Sequence, residues 1–312
     1  MFDLKHLRVL KEIAERGSFS AAADALNYTQ PAVSQQIAAL ERQAGAKLVD
    51  RTPRGIRLTD AGRALLVHAE AILARIADAE AELEAISGVR GGQVRVASFP
   101  TGGASLIPLA TAAFRDRHPG VEVILSVAGP PDALNSLRAG DIDIAVLVES
   151  GFGPESHDER IERTHLLDDP MFVALPADHE LARKRSLNLA DLSDQTWMHD
   201  SSSCPDAAVF LRACHAAGFE PQVALENDDY TAIQGFIAAG VGVALIPRLA
   251  LQGVRDDIVI RRLAGRTPAR KVVAATLAGS YRSPATQAML EILREVSGDY
   301  LAKSEPALAA AR

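Results

Sequence analysis

Three residues with amide or hydroxyl side chains, Gln30, Ser34 and Gln35, fall on one face of a short helical repeat, with Arg42 further along it. Glutamine can bond adenine through two groups at once, and serine can reach either partner of a base pair. The set therefore suits the base edges of a DNA major groove. No carboxylate follows Gln30 on this stretch until Glu41. Lys47, Arg51, Arg54 and Arg57 come next, around a Thr-Pro-Arg-Gly turn. Cations on such a turn can grip a phosphate backbone. The candidate DNA contacts are Ser18, Thr29, Gln30, Pro31, Ser34, Gln35, Arg51 and Arg54.

A second group is different in kind. Ser98-Phe99-Pro100-Thr101-Gly102-Gly103 and His199-Asp200-Ser201-Ser202-Ser203-Cys204 each lead from an expected strand into an expected helix. Helix starts turn N–H groups toward anions, and open α/β sheets bind ligands beyond the carboxyl ends of their strands. Two such ends facing each other would suit a small organic anion. Its candidate contacts are Ser98, Thr101 and Gly102 on one side and His199, Ser201, Ser202 and Ser203 on the other. Gly129 and Asn227 join them by the same rule. No deeply acidic or aromatic cluster is expected beside these loops. Each hydroxyl can equally serve as a helix cap or a turn bond.

Other chemistries find less support. His199, Asp200 and Ser202 lie side by side in one loop, whereas a triad needs its base held by an orienting group at set geometry. Cys204 and Cys214 offer a redox-sensing alternative, but a helix between them would hold the sulfurs roughly 15 Å apart. The sequence carries no metal-ligand cluster, no Gly-x-Ser-x-Gly elbow and no complete phosphate loop. No metal, cofactor or enzymatic activity is therefore expected. The remaining alternative is an α/β enzyme carrying a DNA-binding module.

Elements must hold these groups in place. Residues 4–16 read as a helix with Leu7, Leu10, Ile13 and Ala14 as its apolar face and Gly17 as its end. Phe19 to Leu26 is a short alanine-rich helix that a neighbour can approach closely. Asn27 tolerates the left-handed backbone of a tight turn, and Thr29 with Pro31 marks the next helix start. Val33, Ile37, Leu40 and Ala44 form the buried stripe of that helix. From Thr59 to Ile86, apolar residues recur in steps of four and three over three heptads, as in a coiled coil. Leu65, Ala69, Ile72, Ile76 and Leu83 are the candidate dimerisation residues; the alternative is a helix lying on its own domain. Ser87 to Gly92 reads as a hinge. Beyond it strands and helices alternate, which indicates α/β units. Roughly 210 residues exceed a comfortable single lobe.

The chain of 312 residues has a net charge of −7, unevenly spread. Residues 1–58 carry +3, residues 59–89 carry −4 and the remainder carries −6. The basic part is thus the part with the groove-reading pattern, and the acidic body limits non-specific adhesion to nucleic acid. Two cysteines make no disulfide framework. Neither a signal peptide nor a membrane span is legible, so a cytoplasmic protein with no membrane partner is expected.

The run AAADALNYTQPAVSQQIAALE, followed by DRTPRGIRLTDAG, resembles the DNA-binding segment of LysR-type transcriptional regulators. Ala44-Gly45 and Leu48-Val49 depart from the family pattern with smaller apolar residues. The resemblance implies an α-dominated winged helix-turn-helix domain over 1–58 and a linker dimerisation helix with hinge over 59–89. It further implies a two-lobed α/β effector domain over 90–302, Rossmann-like and similar to periplasmic binding proteins. Lobe I would hold 92–162 and 268–300, lobe II 163–267, and 303–312 would be an unstructured tail. It also implies a bacterial homodimer or homotetramer on a dyad operator in double-stranded DNA, an effector between the lobes, and RNA polymerase as a further partner.

Overall fold

The computed structural model describes residues 2–52, 55–86, 92–150, 158–201, 204–280 and 282–310. Its N-terminal helices form where the sequence places their caps. Asp3 accepts the Lys5 N–H at the head of α1 (Leu4–Arg16), and Gly17 closes that helix at φ 67°. Ser18 accepts the Ala21 N–H at the head of α2 (Phe19–Leu26). Asn27, at φ 54°, turns the chain toward α3 (Gln30–Ala44). Leu7, Leu10, Ile13, Phe19, Ala22, Val33, Ile37 and Leu40 close into one core. A wing follows, with β1 (Val49–Thr52) antiparallel to β2 (Gly55–Leu58), and then the long α4 (Asp60–Ile86).

Thr59 fastens α4 to the wing. Its N–H donates to the Leu48 carbonyl and its hydroxyl donates to the Lys47 carbonyl. The same hydroxyl accepts the Gly62 N–H at 3.0 Å. A Cβ at Gly62 would stand 2.1 Å from the Leu48 carbonyl oxygen, so only glycine fits there.

The seam of α4 divides in two. Ala69 is fully buried and Leu65 packs against the same N-terminal core, so both serve their own domain and not a partner helix. This corrects their assignment to dimerisation. Ile72 and Leu83, 42% and 66% exposed, remain uncovered, and Ile76 is half-buried.

Contacts divide the chain into two compact units, Met1–Gly92 with Leu134–Ile142, and Gln93–Ala133 with Asp143–Arg312. The second unit begins with β3 (Gln93–Ser98), α5 (Pro100–Arg117) and β4 (Glu122–Val127). After α6 (Pro130–Ala139) come β5 (Ile144–Glu149), β6 (Ile161–Pro176), β7 (Ser186–Leu187) and β8 (Thr196–His199). Then follow α7 (Pro205–Ala216), β9 (Gln222–Glu226), α8 (Tyr230–Ala238), β10 (Val243–Pro247), β11 (Ile258–Leu263), β12 (Ala269–Leu277) and α9 (Pro284–Ala310).

One sheet runs β4-β3-β5-β12-β6-β10-β8-β9. Its two ends, β4-β3-β5 and β10-β8-β9, are parallel as the alternating pattern predicts. β12 and β6 join them as antiparallel strands. β6 is 16 residues long. Its first part pairs with β12 and its last part with β10 and β11, so it passes from one half to the other. Each half has its own core. Val96, Leu106, Phe114, Ile144 and Leu293 fill the first, and Trp197, Phe210, Leu175 and Val243 belong to the second. α9 runs on to Ala310, so residues 303–310 continue a helix where an unstructured tail was expected.

Candidate nucleic-acid interface and effector site

Burying Val33, Ile37 and Leu40 turns the other side of α3 outward. Thr29, Gln30, Pro31 and Gln35 are exposed there, and Ser34 is half-buried. Thr29 occupies the cap position of α3 but makes no capping bond with its side chain. Ser18 differs: its oxygen caps α2, which is a structural task. Arg57 is exposed on β2, while Arg54 and the Arg51 side chain lie outside the described residues. Glu41 keeps the wing in register with α3. Its carboxylate accepts the Leu48 N–H at 3.0 Å, the Val49 N–H at 3.5 Å and the Lys47 ammonium at 3.0 Å. Burial raises the Glu41 pKa, but these donors outweigh it and leave the carboxyl below its ordinary value.

The second candidate site contains groups that the loop pattern does not reveal. At its centre is Arg270 on β12, 2% exposed. Its Nε donates to Asp169 Oδ2 at 2.9 Å and its Nη2 donates to Thr101 Oγ1 at 2.7 Å. Nη1 donates to Asp206 Oδ2, and the guanidinium lies 5.1 Å from the centre of the Phe99 ring. Asp169 also accepts the Leu249 N–H at 3.1 Å. The Tyr230 hydroxyl stands 3.1 Å from both Asp200 Oδ2 and Asp206 Oδ2, and the Cys204 thiol donates to Asp200 at 3.5 Å. Thr101 and Arg270 thus come from the half with β3 and α5. Asp200, Cys204, Asp206 and Tyr230 come from the half with α7 and α8, with Asp169 on the connecting β6.

Burial opposes the charge of Arg270, yet Asp206 and Asp169 outweigh it and hold the guanidinium firmly protonated. Burial and the neighbouring Asp206 charge push the Asp200 carboxyl up to about 8. The Cys204 thiol is raised by burial and then by Asp206 and Asp200, and the Cys214 thiol is raised to about 12, chiefly by burial. Both cysteines are free and held as neutral thiols, which disfavours the thiolate that redox sensing requires.

These contacts revise the sequence-based site. α5 begins at Pro100, so Thr101 and Gly102 lie in its first turn and not in a loop. The Thr101 oxygen is engaged by Arg270, Ser98 donates to the Phe99 carbonyl, and a Cβ at Gly102 would meet Ser98 Oγ at 2.7 Å. Gly102 is therefore a packing glycine. The Ser201 N–H is donated to Asp228, and Asn227 accepts the Asp229 N–H. His199 is buried and stacks on Phe210 with ring centres 5.0 Å apart. The space around Gly129 is open, and Ser202 and Ser203 lie outside the described residues. An acidic cluster stands where none was expected, with Asp206 in the first turn of α7. An organic anion here would meet an arginine that is already paired with Asp169 and Asp206.

Family comparison agrees with both halves of this description. Residues 4–63 match the bacterial regulatory helix-turn-helix protein, lysR family, and residues 87–298 match the LysR substrate binding domain. The transcriptional dual regulator GltC of Bacillus subtilis (strain 168) is 32% identical over 246 residues, 78% of this chain and 80% of that protein. The probable HTH-type transcriptional regulator LrrA of Synechococcus elongatus is 32% identical over 298 residues, 95% of this chain and 97% of that protein. A full-length OxyR structure from Pseudomonas aeruginosa shares the fold, with a TM-score of 0.74 at 21% identity and 95% of each chain covered. Matched by family profiles at both ends and by relatives along nearly its full length, the chain belongs to the LysR family of DNA-binding transcriptional regulators with an effector-binding domain.

Proposed function

We propose that α3 reads a dyad operator, with Gln30, Ser34 and Gln35 on base edges and Thr29, Arg51, Arg54 and Arg57 on phosphates. The observation that carries this is the exposure of Gln30 and Gln35 opposite a fully buried Val33, Ile37 and Leu40 stripe. A second copy pairs through Ile72, Ile76 and Leu83 of α4, the part of the seam its own core leaves free. RNA polymerase is the further partner in this reading, which places the protein in the cytoplasm. The effector acts on the Arg270 network, because that network ties the first turn of α5 and β12 to the first turn of α7. A ligand that binds one arrangement of the two halves better than another shifts their equilibrium.

Operator binding tests the first claim. Gln35→Ala should weaken binding to the true operator by about 1–3 kcal/mol and leave random DNA nearly unaffected. Arg57→Ala should weaken both alike and reduce the salt dependence by about one phosphate contact. Equal losses on both DNAs for Gln35→Ala would overturn the base-reading role.

A further inference from the structure

The spacing Asp200-x-x-x-Cys204-x-Asp206 carries no familiar metal signature, but the fold brings the three together. One carboxylate oxygen from each aspartate and the Cys204 sulfur all lie within 4.8 Å of one another. Asp200 and Asp206 are 4% and 3% exposed. Each has its Oδ1 buried with no bonded donor among the described residues, while Oδ2 is committed to Tyr230 in both and to Arg270 in Asp206. A carboxylate oxygen withdrawn from water without a donor is costly unless a positive group neutralises it. Arg270 is ion-paired with both Asp169 and Asp206.

We propose that Asp200, Cys204 and Asp206 form a binding site for a thiophilic divalent cation of the zinc type. Across a tetrahedral zinc, sulfur and oxygen ligands stand roughly 3.6 Å apart given ordinary bond lengths. The sulfur ligand selects against magnesium and calcium, which take oxygen donors only. On binding, Cys204 gives up its thiol proton to solvent, so that a thiolate and carboxylates face the ion. Asp206 stays bonded to Arg270 through Oδ2, so the ion would tighten the first turn of α7 against the strand that carries Arg270. Ion binding stands independently of the proposed effector role; only its effect on DNA rests on that reading.

The test uses the full chain, stripped with chelator and titrated with Co²⁺ and Zn²⁺. One equivalent of Co²⁺ should produce thiolate-to-cobalt charge transfer and the visible bands of a tetrahedral ion, and Zn²⁺ should abolish both. Cys204→Ser should remove the charge-transfer band and weaken Zn²⁺ by more than about 100-fold, beyond the usual effect of an outer-shell partner. Cys214→Ser should leave the spectrum unchanged. Asp200→Asn, which keeps shape and the Tyr230 contact, should also weaken binding, and circular dichroism would verify its folding. Absence of a stoichiometric ion, or a charge-transfer band that follows Cys214, would overturn the site. Tight binding with an unchanged operator footprint would leave the site standing and overturn the effector role instead.

Discussion

Replacing Arg270 by methionine removes a cation while keeping a side chain of similar length. The guanidinium is 2% exposed and bonds Asp169, Asp206 and Thr101 together. Both carboxylates are almost wholly withdrawn from water. Methionine leaves Asp169 and Asp206 buried without the cation they share. Breaking a buried pair in this way costs about 3–5 kcal/mol. For a unit of this size each kcal/mol lowers the unfolding midpoint by about 2–4 °C, so the expected drop is roughly 6–20 °C. Thermal and urea unfolding of the full chain at pH 7 would measure it. The loss should shrink in the double variant Arg270→Met/Asp206→Asn, because one of the stranded charges is then gone. A single-variant loss under about 1 kcal/mol, or a double variant no better than the single, would refute the account of Arg270 as the counter-charge.

Two further outcomes test other parts of the molecule. Glu41→Gln should destabilise the N-terminal unit by about 1–2 kcal/mol at pH 7, since amide oxygen is a weaker acceptor for Leu48 and loses Lys47. The folded Glu41 carboxyl sits below its ordinary pKa, so its contribution is complete above the ordinary glutamate range and disappears as pH falls through the folded value. The variant and wild-type curves should therefore converge in acid, and a pH-independent gap would count against the charge. Ile72→Asp or Ile76→Asp should lower the sedimenting mass and operator affinity without unfolding the monomer. Leu65→Asp should unfold the N-terminal unit, and the opposite pattern would exchange the roles assigned along α4.

Local signals made the N-terminal part legible. Asn27 at a left-handed turn, Ser18 three residues before the Ala21 N–H and the Val33-Ile37-Leu40 stripe each act within a few residues. The heptad of α4 was legible as a pattern, but an apolar step meets a partner helix and a domain core alike. Only the fold shows that Leu65 and Ala69 are taken by the core. The Arg270 network left no local trace. Arg270 meets Asp206, Asp169 and Thr101 across 64, 101 and 169 residues of chain. An arginine at the head of an apolar strand, in Ala269-Arg270-Lys271-Val272-Val273, was the signal available, and it does not name its counter-charges.

The clamp at Thr59 and Gly62 makes α4 a lever. Its 27 residues extend about 40 Å, and its near end cannot swivel against the wing because a glycine with no spare space is pressed onto the Leu48 carbonyl. Tilting such an arm by about 5° displaces its tip by roughly 3.5 Å, close to the rise of one base pair. A joint this stiff passes a tilt of the helix directly to the wing. It leaves little angular slack in which a weak signal would be lost.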